Sequence, residues 1–421
     1  SVHFFSRNNY IKNTEIWDTF GLRGKQVNDF ASLDLPIVPG FIIDSRVAAH
    51  LENEDMQSVL KTYLKKCEKD VGKVYNDPDN PMLVKVVISP SLAIAHYPTL
   101  HNFGLTDKTF DGFTTFVGEE FGYHELLFLL NGYFNVEKRI AEFEEDLKKE
   151  NEYEKYLDSI RDAANATDKK AKETQAKLFS NLKEKLPEGF FDDSYTQLEI
   201  ILKRVSKLLL IDDMDDDDAA ILVQPMVYGN YGRESGSGEF FTRNVVTGEK
   251  KIQGWFLPNT FDVVGREGED INTLESKYVK ELDKVARTVE DHFFEIRSIR
   301  FTIENKKLWL IDQRPVVTKS PQPDNPTRLD RYRRKKISAS YLIHAVKPEQ
   351  LNEILHPIIN PDSVTNIKSI TGGIAGAPGA AIGRVYFTTD ALLDAYKTAQ
   401  QKGQDTRMIL CMPATFAEDV K

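Results

Sequence analysis

The stretch Arg233–Lys250, RESGSGEFFTRNVVTGEK, decides how the rest of the chain is read. Two serines interleave with two glycines, an aromatic pair follows, and T-R-N and T-G-E-K close the segment. Small residues between strands let backbone N–H groups approach an anion, as in phosphate-binding nests, but the same composition suits a plain hairpin tip. The surroundings are β-rich: ILVQPMVYG precedes the segment and KKIQGWFL follows it. Further out, IRFTIENKKLWLIDQRP reads as a hairpin, with Phe301, Ile303, Trp309 and Ile311 expected on one face and Arg300, Thr302 and Asp312 on the other.

Upstream, TFGLRGKQVNDFASLDLPIVPGFIID (19–44) reads as a Gly-Lys turn, a short helix and a strand introduced by Pro36 and Pro39-Gly40. A second strand is expected at Met82–Ile88, long surface helices over 136–186 with a break near Asn165, and a more apolar helix at Leu198–Leu210. A helix is expected around 275–294 and a linker over 315–327, which holds four prolines. Helices follow to about 356, then a glycine-rich segment from Thr371 and a strand at MILCMP.

At 421 residues the chain exceeds one ordinary core, so two to four domains or subdomains are expected. A net charge of −10 argues against nucleic acid as the main partner, because phosphate backbones require a clustered positive surface. The one basic cluster, RLDRYRRKK (328–336), reads as a solvated helix face. The acidic run DDMDDDD (212–218) lacks the glycine and glutamate of an EF-hand loop and reads as a solvated loop. Two widely separated cysteines, Cys67 and Cys411, exclude a disulfide framework, and no apolar run is long enough to span a bilayer. A cytoplasmic location with no membrane partner is the expectation.

Taken together, four ordered segments resemble the pyruvate, phosphate dikinase family. VQPMVYGNYGRESGSGEFFTRNVVTGEK is similar to its V-Q-x-M-V-F-G-N-x-G-x-x-S-G-x-G-x-x-F-T-R-N-P-x-T-G-E, and GLRGKQVNDFASLDLPIVPGF to its G-G-K-G-x-N-L-A-E-M-x-x-x-G-x-P-V-P-x-G-F. FTIENKKLWLIDQR and IAGAPGAAIGRVYFT resemble two further family segments. The resemblance implies an α+β architecture: an ATP-grasp fold with a helical insertion, a linker, and the beginning of a swivelling phosphohistidine domain. Its expected limits are 1–135 and 213–316 for the two ATP-grasp subdomains, 136–212 for the helical subdomain, 317–370 for linker and helices, and 371–421 for the start of the phosphohistidine domain.

The resemblance also implies ATP and Mg²⁺, with phosphate passing from ATP to a histidine and on to pyruvate. Lys25 is the position that would hold ATP phosphates. Gln224, Met226 and Val227 would form the hinge strand against adenine, Ser235, Gly236 and Gly238 would cover the phosphates, and Arg314 would sit beside the triphosphate. The chain departs from the family at Arg23 and Gln26, which replace glycines beside Lys25, in the shortened segment Pro258–Asp262, and at three further positions. Val87 stands where its V-S-V-R-S-G-A has the arginine, Arg300 holds the position of its metal-binding acid, and Asp312 replaces the glutamine of its L-Q-T-R. Mg²⁺ needs oxygen ligands, which a guanidinium lacks. Arg300 and Asp312 are instead expected to form a salt bridge across the hairpin, and the metal ligands are left unknown.

The eight histidines include none in the family's T-S-H context, and the chain reaches Lys421 short of that motif. A C-terminal continuation or a partner is expected to carry the phosphohistidine, and the oligomeric state is left open. Three functions stay in view: the ATP-binding region of a dikinase-like phosphotransferase, a catalytically inactive nucleotide-binding or regulatory module, and a scaffold without nucleotide.

Overall fold

The computed structural model describes residues 1–92, 97–166, 170–213, 218–262, 268–316, 323–346, 357, 359 and 379–413. Parts of the acidic run and of the proline-rich linker, residues 347–356 and the glycine-rich segment 371–378 lie outside these. The chain divides into two compact units, one of residues 1–242, 252–289 and 297–314, the other of residues 243–251, 290–296 and 315–421. The architecture is mixed α+β, with antiparallel sheets in the first unit.

The first sheet takes the order β1-β2-β7-β5-β6. Its strands are β1 (Val2–Phe5), β2 (Gly40–Ile43), β5 (Val84–Pro90), β6 (Leu100–Phe103) and β7 (Ala219–Pro225), with a small parallel pair, β3 (Val74–Tyr75) and β4 (Pro81–Met82), beside them. Every residue of β7 is buried, so this strand carries the nearly unbroken apolar run of a central position. Its antiparallel register sets Lys85 opposite Gln224 and Val87 opposite Leu222.

Helices cover this sheet because their apolar residues fall on one stripe. In the helix Met56–Val71, Met56, Leu60, Leu64, Cys67 and Val71 are buried at steps of three or four residues. Asp55 accepts the Gln57 N–H at its start, and Gly72, at φ +74°, ends it. The expected long helices run Glu119–Phe143, Leu147–Ala164 and Ala171–Lys183, and the apolar helix runs Ser194–Ile211.

The expected Gly-Lys turn is a correction. Gly24 and Lys25 lie inside the helix Gly21–Ala31. This helix is capped from β5: Ser89 Oγ accepts the N–H groups of Arg23 and Gly24, both at 3.1 Å, and donates to the Phe20 carbonyl at 2.9 Å. A cap from a distant strand leaves no cue in the local sequence. Ser89→Ala is expected to cost about 1–3 kcal/mol, because two backbone donors, one of them fully buried, lose their acceptor; urea unfolding measures it, and a loss within about 0.5 kcal/mol would show the cap to be dispensable.

The second sheet takes the order β10-β9-β8-β11-β12. It comprises β8 (Gly236–Phe241), β9 (Gln253–Pro258), β10 (Glu269–Asp270), β11 (Arg297–Glu304) and β12 (Lys307–Pro315). The helix Ser276–Phe293 buries Tyr278, Leu282, Val285, Ala286 and Val289, and the Tyr278 hydroxyl donates to the Lys306 carbonyl at 3.1 Å. The expected hairpin is present, but its apolar residues divide differently. Phe301 stacks on Phe256, whereas Trp309 belongs to the core of the first sheet, with Ile311 packed against that core. The reason is the two-residue turn, in which Asn305 (φ +45°) and Lys306 (φ +74°) are both left-handed.

In the second unit, β13 (Arg384–Tyr386), the helix Thr389–Gln401 and β14 (Met408–Leu410) form a parallel β-α-β unit. The basic cluster does not form a wholly solvated face. Arg331 is buried, Arg334 pairs with Asp291 at 2.9 Å, and Asp330 binds the buried Arg243 at 2.5 Å.

Candidate nucleotide cleft

A cavity of about 1100 Å³ opens in the first unit, with walls from both sheets and from the helix Glu119–Phe143. Its floor is the hinge that runs out of β7, Gln224 to Val227. The hinge is rigidly held. Met226 N–H donates to the Leu83 carbonyl at 2.7 Å, and the Met226 carbonyl accepts from Lys73 Nζ at 3.0 Å. Lys73 is buried and pairs with buried Glu304 at 2.7 Å, and the same carboxylate oxygen accepts the Tyr228 N–H at 2.9 Å. Gln224 Nε2 donates to the Val38 carbonyl at 3.0 Å. The Val227 N–H and C=O take no part in these bonds.

From Gly236 onward the S-G-S-G segment is strand rather than loop. Gly236 and Gly238 belong to β8, and the absence of side chains there has a packing cause. A Cβ on Gly236 would lie 2.2 Å from the Phe256 ring, and one on Gly238 would lie 2.4 Å from the Phe301 ring. Ser235 is buried and fixes the β11–β12 turn: its Oγ accepts the Asn305 N–H at 2.9 Å and donates to the Tyr231 carbonyl at 2.6 Å. Ser237 and Gly238 line the cleft, with Ser237 Oγ donating to the Phe261 carbonyl at 2.8 Å.

Two expected phosphate contacts lie elsewhere. Lys25 Nζ is 2.6 Å from Asp18 and outside the cleft lining, and Arg314 reaches Glu239 at 2.7 Å, also outside it. Val87 is buried in β5 beneath the cleft's edge, in a smaller cavity shared with Arg23, Lys85 and Asp312. Arg300 and Asp312 do meet, at 3.5 Å, and Arg23 approaches the same carboxylate at 3.3 Å. Asp262 stands 3.9 Å from Arg300. A divalent cation needs oxygen ligands, and here two guanidinium groups of the cation's own sign share one carboxylate. Among the described residues no group of three or more His, Cys, Asp or Glu could hold a metal. The side chains at this end of the cleft therefore do not fit Mg²⁺.

The structure adds residues that motif reading passed over. Lys85 projects into the cleft, and burial, together with Arg23, pushes its ammonium down to about 8. The signal was present in the sequence: Lys85 is two residues before Val87, hence on the same face of the strand. His101 stacks on Phe128 at 4.9 Å, and burial, helped by the Lys85 charge, pushes it down to about 4. Its Nδ1 is buried without a partner, as is Asn230 Oδ1, and both residues line the cleft. His124 moves the other way, raised by its hydrogen bond to Glu125 at 3.0 Å.

Comparison with known proteins extends this picture. No family model matches the chain. A pyruvate, phosphate dikinase of Treponema pallidum is 48% identical over 421 residues, which cover all of this chain and 46% of the relative. A chloroplastic pyruvate, phosphate dikinase of Mesembryanthemum crystallinum is 27% identical over 450 residues, covering all of this chain and 46% of the relative. A pyruvate, phosphate dikinase of Rickettsia conorii is 26% identical over 451 residues, covering all of this chain and 50% of the relative. The chain thus spans about half the length of the curated relatives it matches. With 48% identity in an alignment that runs from Ser1 to Lys421, the chain belongs to the pyruvate, phosphate dikinase family.

Proposed function

We propose that the chain is the nucleotide-binding region of a pyruvate, phosphate dikinase-like phosphotransferase, with an ATP-grasp arrangement of two sheets around the cleft. The observation that carries this is the cleft itself: the Gln224–Val227 segment on one side, Ser237 and Gly238 on the other, with His101 and Asn230 also in its lining. In this reading the adenine lies against the hinge beside Val227, and His101, neutral at physiological pH, and Asn230 offer hydrogen bonds to the base or ribose. The phosphates extend toward Arg23, Lys85 and Arg300. The chain's residues bind and orient the nucleotide and exclude water, and the phosphoryl acceptor is a histidine on a C-terminal continuation or a partner.

The ion pairs of Arg300 and Asp312 favour a second reading, a nucleotide-binding module that has lost transfer. Titration calorimetry with ATP, ADP and AMP tests the shared part: micromolar binding of ATP is expected, weakening as phosphates are removed, and silence with all three would refute it. Incubating a longer chain that includes a T-S-H segment with radiolabelled ATP separates the two readings. Acid-labile label on histidine supports transfer, and its absence despite ATP binding supports the module.

A further inference from the structure

The phosphate end of the cleft is unusual in its charge balance. Arg23, from the helix Gly21–Ala31, Lys85, from β5, and Arg300, from β11, converge there. The facing carboxylates are Asp312 on β12 and Asp262 beyond β9, and the remaining titratable group against Lys85 is His101 on β6. Asp312 is shared by Arg23 and Arg300, at 3.3 and 3.5 Å, and Asp262 is half exposed at 3.9 Å from Arg300. No ion pair involves Lys85 among the described residues, and a cation deep in a cleft is stable only when something compensates it.

We infer that Lys85, with Arg23 and Arg300, forms a metal-independent binding site for a polyphosphate chain, whose oxygens take the charge-neutralising place that a divalent ion would share elsewhere. This rests on the nucleotide reading above and specifies the form of its ligand: free nucleoside triphosphate rather than its magnesium complex. Three chemical reasons support it. Guanidinium groups present paired N–H donors that match phosphate oxygens, and the lysine ammonium adds a point charge between them. The two arginine contacts to Asp312 exceed the 2.7–2.9 Å of a tight charge-assisted bond, so an incoming phosphate displaces little. A metal-bound triphosphate would bring a dication against Arg300, where charges of like sign at contact distance repel.

The test is calorimetric titration of the 421-residue chain with inorganic tripolyphosphate and, separately, with ATP, each in EDTA and in excess Mg²⁺. Binding of both ligands in EDTA is expected, weakened at least threefold by Mg²⁺, with at least a tenfold loss in Lys85→Met and retention in Lys85→Arg. Thermal unfolding of each variant confirms that it is folded. Pyrophosphate in a parallel titration distinguishes an inorganic ligand from a nucleotide: tighter binding of pyrophosphate than of ATP would overturn the nucleotide form of the site. If ATP binds but only with Mg²⁺, or if Lys85→Met binds normally, the inference fails while the nucleotide reading stands. If neither ATP nor tripolyphosphate binds under any condition, both fail.

Discussion

Lys73→Met is expected to lower the unfolding free energy by about 3–5 kcal/mol, because it strands a buried carboxylate without its cation. Lys73 and Glu304 are 3% and 5% exposed and 2.7 Å apart. The substitution also removes the donor to the Met226 carbonyl, leaving that oxygen unsatisfied at the hinge. Glu304 would keep the Tyr228 N–H alone. The double variant Lys73→Met/Glu304→Gln should recover a large part of the loss, since the charge is removed along with its partner. Urea denaturation followed by far-UV circular dichroism, with an unchanged m-value, measures both. A single-variant loss below 1 kcal/mol would show that water reaches the pair and that the hinge is held by other contacts. The functional consequence is specific: this pair ties β11 to the hinge, so its loss should weaken nucleotide binding in any protein that remains folded.

Gly21→Ala is expected to be at least as damaging, by more than about 4 kcal/mol, which for many domains abolishes folding. Gly21 sits at φ +64°, and a Cβ there would lie 1.8 Å from the Ser89 carbonyl oxygen, a backbone atom of a central strand that cannot yield. Gly72→Ala is the control. It has φ +74° but nothing within 4 Å of the added carbon, so only the left-handed backbone penalty of about 1–2 kcal/mol applies. Comparing the two melting temperatures separates clash from strain, and equal losses would discredit the clash. The same close approach is what lets Ser89 cap the helix and place Arg23 over the cleft.

Much of the fold was legible in sequence. Helical spacing announces the helices within 136–186, apolar composition the helix Ser194–Ile211, and β-branched or aromatic runs announce β5, β7 and β11. The misreadings have physical causes. Gly24-Lys25 carries a turn composition, yet Ser89, sixty-five residues from Gly24, supplies the cap that makes it helix. Ser235 to Gly238 has loop composition, yet the glycines make room for Phe256 and Phe301 packed against a strand. The hairpin's faces depend on whether its turn has two residues, which the left-handed pair Asn305-Lys306 decides.

The candidate site divides along the same line. By itself the sequence determined the family and the places of the Gln224–Val227 and S-G-S-G segments, because these are local patterns. Only the tertiary structure decided which cations share the cleft. Arg23, Lys85 and Arg300 come from a helix and two sheets, separated by 62 and 215 residues of chain. No spacing rule links them. Of the basic residues the motifs favoured, Lys25 pairs with the nearby Asp18, and Arg314 reaches Glu239, 75 residues away, because the packing of strands and not sequence neighbourhood sets that partner.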